Sequence, residues 1–430
     1  MKNYLFFLFA ICLLFSTQDA MADDYITDSY GVVYMISGDE AMVVNADRYN
    51  LNRTEVEIKS YVSDKAGRHW YAVTTLKDGW LKDIKKTIER VTLPKTLKEL
   101  PFRCFKDCEE LKSVDFSGNP TKLNYIPAEC FEGCSNLQSF TIPESVDAIG
   151  NDCFSGCSRL TTIKIPNSVT IIEDRCFQNS GITKIKLPSS LERIYGYCFA
   201  NCDMLDSIEI PNTCNFIEEN AFEGCRSLAA VTFAESSTLK IIPNDCFRNC
   251  GSLNSITLPN SVGGLSSYCF YNCTSLKSVT LGESTARLGY NSFGNCNNLK
   301  TIYCLAATPP SESQAFHDIA SLAYVTLYVP DESLSLYKKD NEDREPSYKF
   351  GAVLPLSATG IKTIDTEGIS LDSDNGTVTT TGVPSNMPVC IYLVSGQLLG
   401  KGKGNISVNA QGGQMVIVKV GGKIHKVLVK

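Results

Sequence analysis

The chain has 430 residues, of which 43% are hydrophobic and 20% charged, with a formal net charge of −7 and a pI near 5.3. That acid excess, with no long basic block, excludes nucleic acid and anionic membrane as the main partner, because both repel an acidic body. The length leaves room for two or three globular units.

Residues 1–22 read as a secretory signal peptide. A cationic start at Lys2 precedes an apolar run from Tyr4 to Phe15, and Ala20-Met21-Ala22 supplies a small-x-small cleavage site before Asp23. The apolar centre is too short for a comfortable membrane span. Cys12 lacks the small residues that precede a lipidated cysteine, so a soluble product is expected, secreted or displayed at the cell surface. Residues 23–78 are predicted to form an N-terminal cap.

Residues 79–304 carry an internal repeat. Phe105, Phe131, Phe154, Phe177, Phe199, Phe222, Phe247, Phe270 and Phe293 recur at intervals of 22 to 26 residues within one phrase, typified by Cys153 to Pro166. A period in this range with leucine-type spacing inside it is the leucine-rich-repeat signature, and it predicts a solenoid that offers a long surface rather than a pocket. The fold class expected is a β-rich α/β solenoid, with one parallel sheet and short helical turns.

Each coil predicts one short strand. In Leu137, Phe140 and Ile142 the period-two alternation turns Phe140 and Ile142 inward and Ser139 and Thr141 outward. Nine or ten such strands stacked about 4.8 Å apart give a sheet on the order of 45 Å long. Eight residues after the leading leucine comes a small hydrogen-bonding side chain (Asn119, Ser145, Ser168, Ser190, Thr213, Ser236, Ser261, Ser284), placed to bond the turning backbone of neighbouring coils.

The cysteines flank the phenylalanine, directly before it and three residues after it. Where cysteine is missing, Ala221, Ser292 or Ser180 takes the slot. The slot therefore asks for a small residue, and reduced cysteines packed in the core are the favoured reading. A bridge between cysteines four apart is geometrically open, but coils that keep only one of the pair argue against an obligatory one. Metal binding would need a tight cluster of ligands, and the CxxxC spacing without histidine does not supply one.

Residues 305–356 are expected to cap the solenoid, which would otherwise expose its last core and strand edge. The charged stretch from Lys338 to Tyr348 reads as a loop ending that cap. Residues 357–430 shift to threonine, glycine and valine, with turn signals at Asp374-Asn375-Gly376 and Gly412-Gly413. Strands such as Val389 to Leu393 and Met415 to Val420 predict a small antiparallel β domain.

The phrase Cys-Phe-x-x-Cys-x-x-Leu-x-x-Ile-x-Ile-Pro-x-Ser-Val-x-x-Ile resembles the BspA-like leucine-rich repeat of exported bacterial proteins over about residues 71–304. Tyr71-Ala72-Val73-Thr74 looks like the opening of such an array, and Ala315-Phe316 with Leu327 to Pro330 and Tyr337 looks like its closing cap. Val389 to Tyr392, Gly396 to Leu399 and Lys426 to Lys430 are similar to C-terminal sorting domains of type nine secretion. The tail departs from that pattern where Gly413-Gln414-Met415 stands for the usual Gly-x-Tyr. The resemblance implies a non-catalytic protein that binds extracellular or cell-surface proteins.

No catalytic constellation is legible. The three histidines, His69, His317 and His425, fall in three segments, and none lies inside the array to act as a general base. Asp372 to Gly376 resembles half of a calcium loop without its distant glutamate, so a hairpin turn is expected there. No cofactor and no metal are predicted. Candidate partner-binding residues are the basic spot of Lys164, Lys184 and Lys186, and the aromatic end formed by Tyr303 on its strand with Tyr268, Tyr271 and Tyr290 in the turns. An extracellular protein is the expected partner. A glycan stacked on the tyrosines is the alternative.

Overall fold

A computed structural model describes residues 25–46, 53–359 and 370–428, except 235, 313, 321, 375, 384, 386, 387, 394–396, 411–413, 421 and 422. The expected signal peptide, Cys12, and the turn signals at Asn375 and Gly412-Gly413 lie outside the described residues.

Residues of the repeat region wind into a stack of coils with two rows of parallel strands, the first and second sheets, each row made of three separate ladders. The first contains the expected strands, among them Ser113–Phe116, Ser139–Thr141, Thr162–Lys164 and Ser207–Ile210. Ser139 pairs with Thr162, Phe140 with Ile163 and Thr141 with Lys164, so like positions lie side by side in neighbouring coils. This row exceeds the repeat at both ends: Glu55–Glu57 joins before Arg90–Leu93, and Thr326–Val329 and Ala352–Pro355 join after Thr301–Cys304. Its run is therefore nearer 55 Å than 45 Å at ordinary strand spacing.

The second sheet is built from two-residue strands such as Tyr125–Ile126, Ala148–Ile149, Ile171–Ile172 and Phe216–Ile217. Each sinks its second residue into the core and turns its first outward. Between the sheets run consecutive three-residue turns, as where the Cys157 amide donates to the Phe154 carbonyl and the Leu160 amide to that of Cys157. These turns take the left-handed backbone two residues before and two after each phenylalanine. Asp152 (φ 54°), Asn201 (φ 56°) and Asn249 (φ 61°) occupy such sites, where asparagine, aspartate and glycine are least strained.

The core is a column of stacked rings. From Phe105 through Phe293 to Phe316, successive phenylalanines lie 5.1–5.6 Å apart with planes within 11° of parallel. Both ends are closed edge-on, by Trp80 against Phe105 and by Phe350 against Phe316. Phe316, expected in the cap, thus continues the column.

Leu334–Asp343 is an α-helix, which corrects the loop expected from Lys338. Its charges face solvent while Tyr337 turns in, 2% exposed, with its hydroxyl 2.8 Å from the carbonyl oxygens of both Ala306 and Thr308. Arg344 secures the helix end on Glu312 (2.7 Å) and Asp340 (3.0 Å). The N-terminal segment forms a five-stranded mixed sheet, and the tail forms three- and four-stranded antiparallel sheets around Val378, Val389, Ile391, Val416 and Val418.

Candidate functional site

The expected basic spot is assembled on the first sheet. Lys164 lies exposed on its strand, whereas the coil carrying Lys184 and Lys186 forms only an isolated bridge from Lys184 to Ser207, with Lys186 exposed outside any strand. Lys164 lies 3.4 Å from Glu144 and Lys184 3.8 Å from Asp206, both pairs well solvated, so neither neutralises its lysine firmly. Lys186 has no ion-pair partner among the described residues. It stands between two open depressions, one of about 660 Å³ shared with Lys184, Ser207, Glu209 and Thr232, the other of about 450 Å³ shared with Lys164 and Ser168.

Ser168 also marks a break in the hydroxyl ladder. Ser145, Ser190, Thr213 and Ser261 each donate to a carbonyl of the preceding coil at 2.5–3.0 Å. The Ser168 Oγ is buried without a partner. In the coil of Ser284 the bond is made instead by its neighbour Thr285, to Val262.

The tyrosines of the last coils divide. Tyr268, Tyr271 and Tyr290 come together half-buried, with ring contacts of 5.5–5.6 Å at 73–78°. The Arg248 guanidinium lies over Tyr268 and Tyr271 at 5.7 and 5.4 Å, and Tyr290 packs on His317. These rings meet edge to face, so they form a cluster and not a flat platform. Tyr303 corrects the expectation of an exposed aromatic: it is 6% exposed, stacked 5.3 Å from Tyr328 of the next coil. Thr280, at the strand position equivalent to the outward Thr141, is likewise covered.

The cysteines have a geometry that spacing did not reveal. Those three residues after the phenylalanine donate from sulfur to the phenylalanine carbonyl one coil back: Cys134 to Phe105 (3.1 Å), Cys157 to Phe131 (3.2 Å), Cys225 to Phe199 (3.0 Å) and Cys273 to Phe247 (3.2 Å). At Ser180 the hydroxyl meets the Cys202 sulfur at 3.3 Å. The slot before the phenylalanine wants only small bulk, as Ala221 shows. Cysteines from Cys104 to Cys390 are unbridged. Burial pushes the Cys202 thiol up to about 12 and that of Cys214 to about 11, so neither forms the thiolate that a nucleophile or metal ligand requires. Among the described residues no three histidine, cysteine or acidic side chains gather as a metal site would need.

His69 lies 3.3 Å from Asp39 in the N-terminal sheet, and His317 lies 2.9 Å from Asp318. Each is a surface pair far along the chain from the other. Sequence reasoning missed the outward row of the second sheet, where Tyr125, Ile171, Phe216 and Ile241 are 38–41% exposed. Its signal is the apolar residue preceding each buried isoleucine.

Six copies of the BspA type leucine rich repeat region match, over residues 74–205, 124–240 and 234–335. No curated protein sequence matches the chain. Among solved structures, a leucine-rich repeat protein from Bacteroides ovatus is 22% identical over 76% of this chain and 97% of its own, with a TM-score of 0.48. A leucine rich cell surface protein from Faecalibacterium prausnitzii is 22% identical over 65% of this chain and 94% of its own, with a TM-score of 0.36. The pneumococcal vaccine antigen PcpA is 16% identical over 77% of this chain and 98% of its own, with a TM-score of 0.43.

Proposed function

Because the chain belongs to the BspA-type leucine-rich-repeat family, we propose that it is an exported, non-catalytic recognition protein that binds an extracellular or cell-surface protein through its first sheet. The observation that carries this reading is the open basic spot, where Lys164, Lys184 and Lys186 stand on neighbouring coils beside two solvent-filled depressions. Fixed backbone positions for the three lysines suit an acidic patch on a folded partner, since the solenoid need not reorganise to present them. Buried, protonated thiols and histidines held in separate surface pairs support the non-catalytic reading. The edge-to-face tyrosines give little support to a glycan partner, which would stack on a flat exposed ring.

Export completes the reading. The leader at residues 1–22 and a tail that resembles type nine sorting domains would carry the chain out of the cell.

The test is binding of the full mature chain to a panel of extracellular-matrix proteins and polysaccharides at two salt concentrations. Saturable protein binding that weakens with salt, and that fails in the Lys164→Glu, Lys184→Glu, Lys186→Glu variant, is the expected result. Polysaccharide binding alone, or protein binding indifferent to the three substitutions, would overturn it.

A further inference from the structure

The outer face of the second sheet carries a row of side chains with no structural duty. Each two-residue strand buries its isoleucine, and the residue before it needs only to tolerate water. Across six consecutive coils these outward positions are Tyr125, Ala148, Ile171, Arg193, Phe216 and Ile241. Tyr125 is in register with Ala148 and Ile171, and Arg193 with Phe216. Four large apolar side chains, each 38–41% exposed, therefore form one stripe along the stack. The lone cation within it is neutralised: the Arg193 guanidinium lies 4.4 Å from the centre of the Phe216 ring and 3.5 Å from Glu218.

The flanks of the stripe are acidic. Asp147, Glu173, Asp174, Glu192 and Glu219 border it, against Lys240 alone among the basic residues beside these strands. Two copies docked face to face through this sheet would set carboxylates against carboxylates, so charge disfavours a second copy as occupant. It favours a cationic one. Tyr125, Ile171 and Phe216 stand two coils apart in succession, roughly 10 Å at ordinary strand spacing, which is close to one three-residue turn of a polyproline II helix, about 9.3 Å, whose residues i and i+3 share a face.

We propose that the second sheet docks a cationic segment of a partner protein in the polyproline II conformation, running along the stack with an apolar side chain at every third residue. This assignment shares with the proposed function only the premise that the chain acts by binding, and it lies on a different face. The lysine spot on the first sheet is free to act independently.

The probe is a fluorescein-labelled peptide of about twelve residues, with leucine at every third position and lysine and proline elsewhere. Two comparators carry glutamate for lysine, or the same composition with leucine at every second position. Fluorescence anisotropy with the full chain should show saturable binding of the probe that strengthens at low salt, and weaker binding of both comparators. Ile171→Asp and Phe216→Ser should each weaken the probe at least about fivefold, the equivalent of losing roughly 1 kcal/mol of apolar burial. Circular dichroism of both variants must match the parent, and the triple lysine variant should bind the probe normally. Equal binding of the glutamate peptide, insensitivity to both stripe substitutions, or no binding of the probe would overturn the proposal. So would a dimer in sedimentation that Ile171→Asp dissolves, which would make the stripe a self-interface. Loss of probe binding in the lysine variant, with the stripe variants unaffected, would overturn the stripe and leave the first-sheet reading standing.

Discussion

The Cys157 thiol donates to the carbonyl oxygen of Phe131, 3.2 Å away and one coil back. A weak sulfur donor thus adds a second hydrogen bond to a buried carbonyl that already accepts from the Cys134 amide at 3.0 Å. The other flanking position, Cys153, is equally buried but accepts alanine elsewhere in the array. Cys157→Ala should therefore cost about 1–2 kcal/mol through the lost bond and the small void. Cys153→Ala should cost less, and Cys157→Ser should recover part of the loss. Denaturant midpoints of the three variants decide this. Equal costs at the two positions would show that packing alone sets the residue.

Phe199 sits in the middle of the ring column, stacked on Phe177 and Phe222 at 5.4 Å. Phe199→Ala should remove about 3–5 kcal/mol. Because each coil touches only its neighbours, the lesion should also uncouple the two halves of the stack. Unfolding followed by far-ultraviolet circular dichroism should then split into two transitions. A single transition merely shifted to lower denaturant would argue that the array stays one cooperative unit.

Alkaline pH should unfold this protein sooner than its acidic composition would imply. Burial raises the thiols of Cys108 and Cys202 to about 12 and that of Cys214 to about 11, whereas in the unfolded chain they ionise near 8.5. Above that value the unfolded state sheds protons that the folded state retains, so stability is present in full below it and is lost as pH climbs toward the folded values. The melting temperature should fall steeply between about pH 9 and pH 11. A variant with Cys108, Cys202 and Cys214 replaced by alanine should show a shallower fall. An unchanged slope would mean that other groups govern the transition.

Tyr337 ties the closing helix to the loop that follows the last repeat strand, through its hydroxyl against Ala306 and Thr308. Tyr337→Phe should cost about 1–2 kcal/mol. Hydrogen exchange should quicken first in Thr301–Cys304, whose Cys304 sulfur lies 3.3 Å from the Tyr337 hydroxyl, and in Ala352–Pro355, the strand packed against this helix. A uniform loss of protection would place the effect on global stability rather than on the cap.

The ring column and the first sheet were readable in the chain because each rests on a feature that repeats in register: one phenylalanine, one leading leucine, one alternating pair. The second sheet was not. Its strands hold two residues, too few to show a period, and their buried members, such as Ile149 and Ile172, read equally well as loop residues next to a turn. The helix at 334–343 escaped because only Leu334 and Tyr337 mark its inner face within a run of charges. Tyr303 was assigned to open surface because its cover, Tyr328, belongs to a coil that the sequence pattern no longer marks as one. The three lysines were legible as exposed because the repeat phrase marks their positions as outward, while the stripe of Tyr125, Ile171 and Phe216 sits on strands too short to read.

The side-by-side register of like positions, Phe140 against Ile163 and Ile256 against Val279, has a consequence for ancestry. An in-frame duplication or deletion of one coil leaves every remaining neighbour pairing chemically alike, so the gene can lengthen or shorten the array without passing through an unfoldable intermediate. Distance between the two ends becomes a heritable variable, adjustable in steps of one strand spacing. Residues on the outward positions are then free to diverge coil by coil behind that constant scaffold.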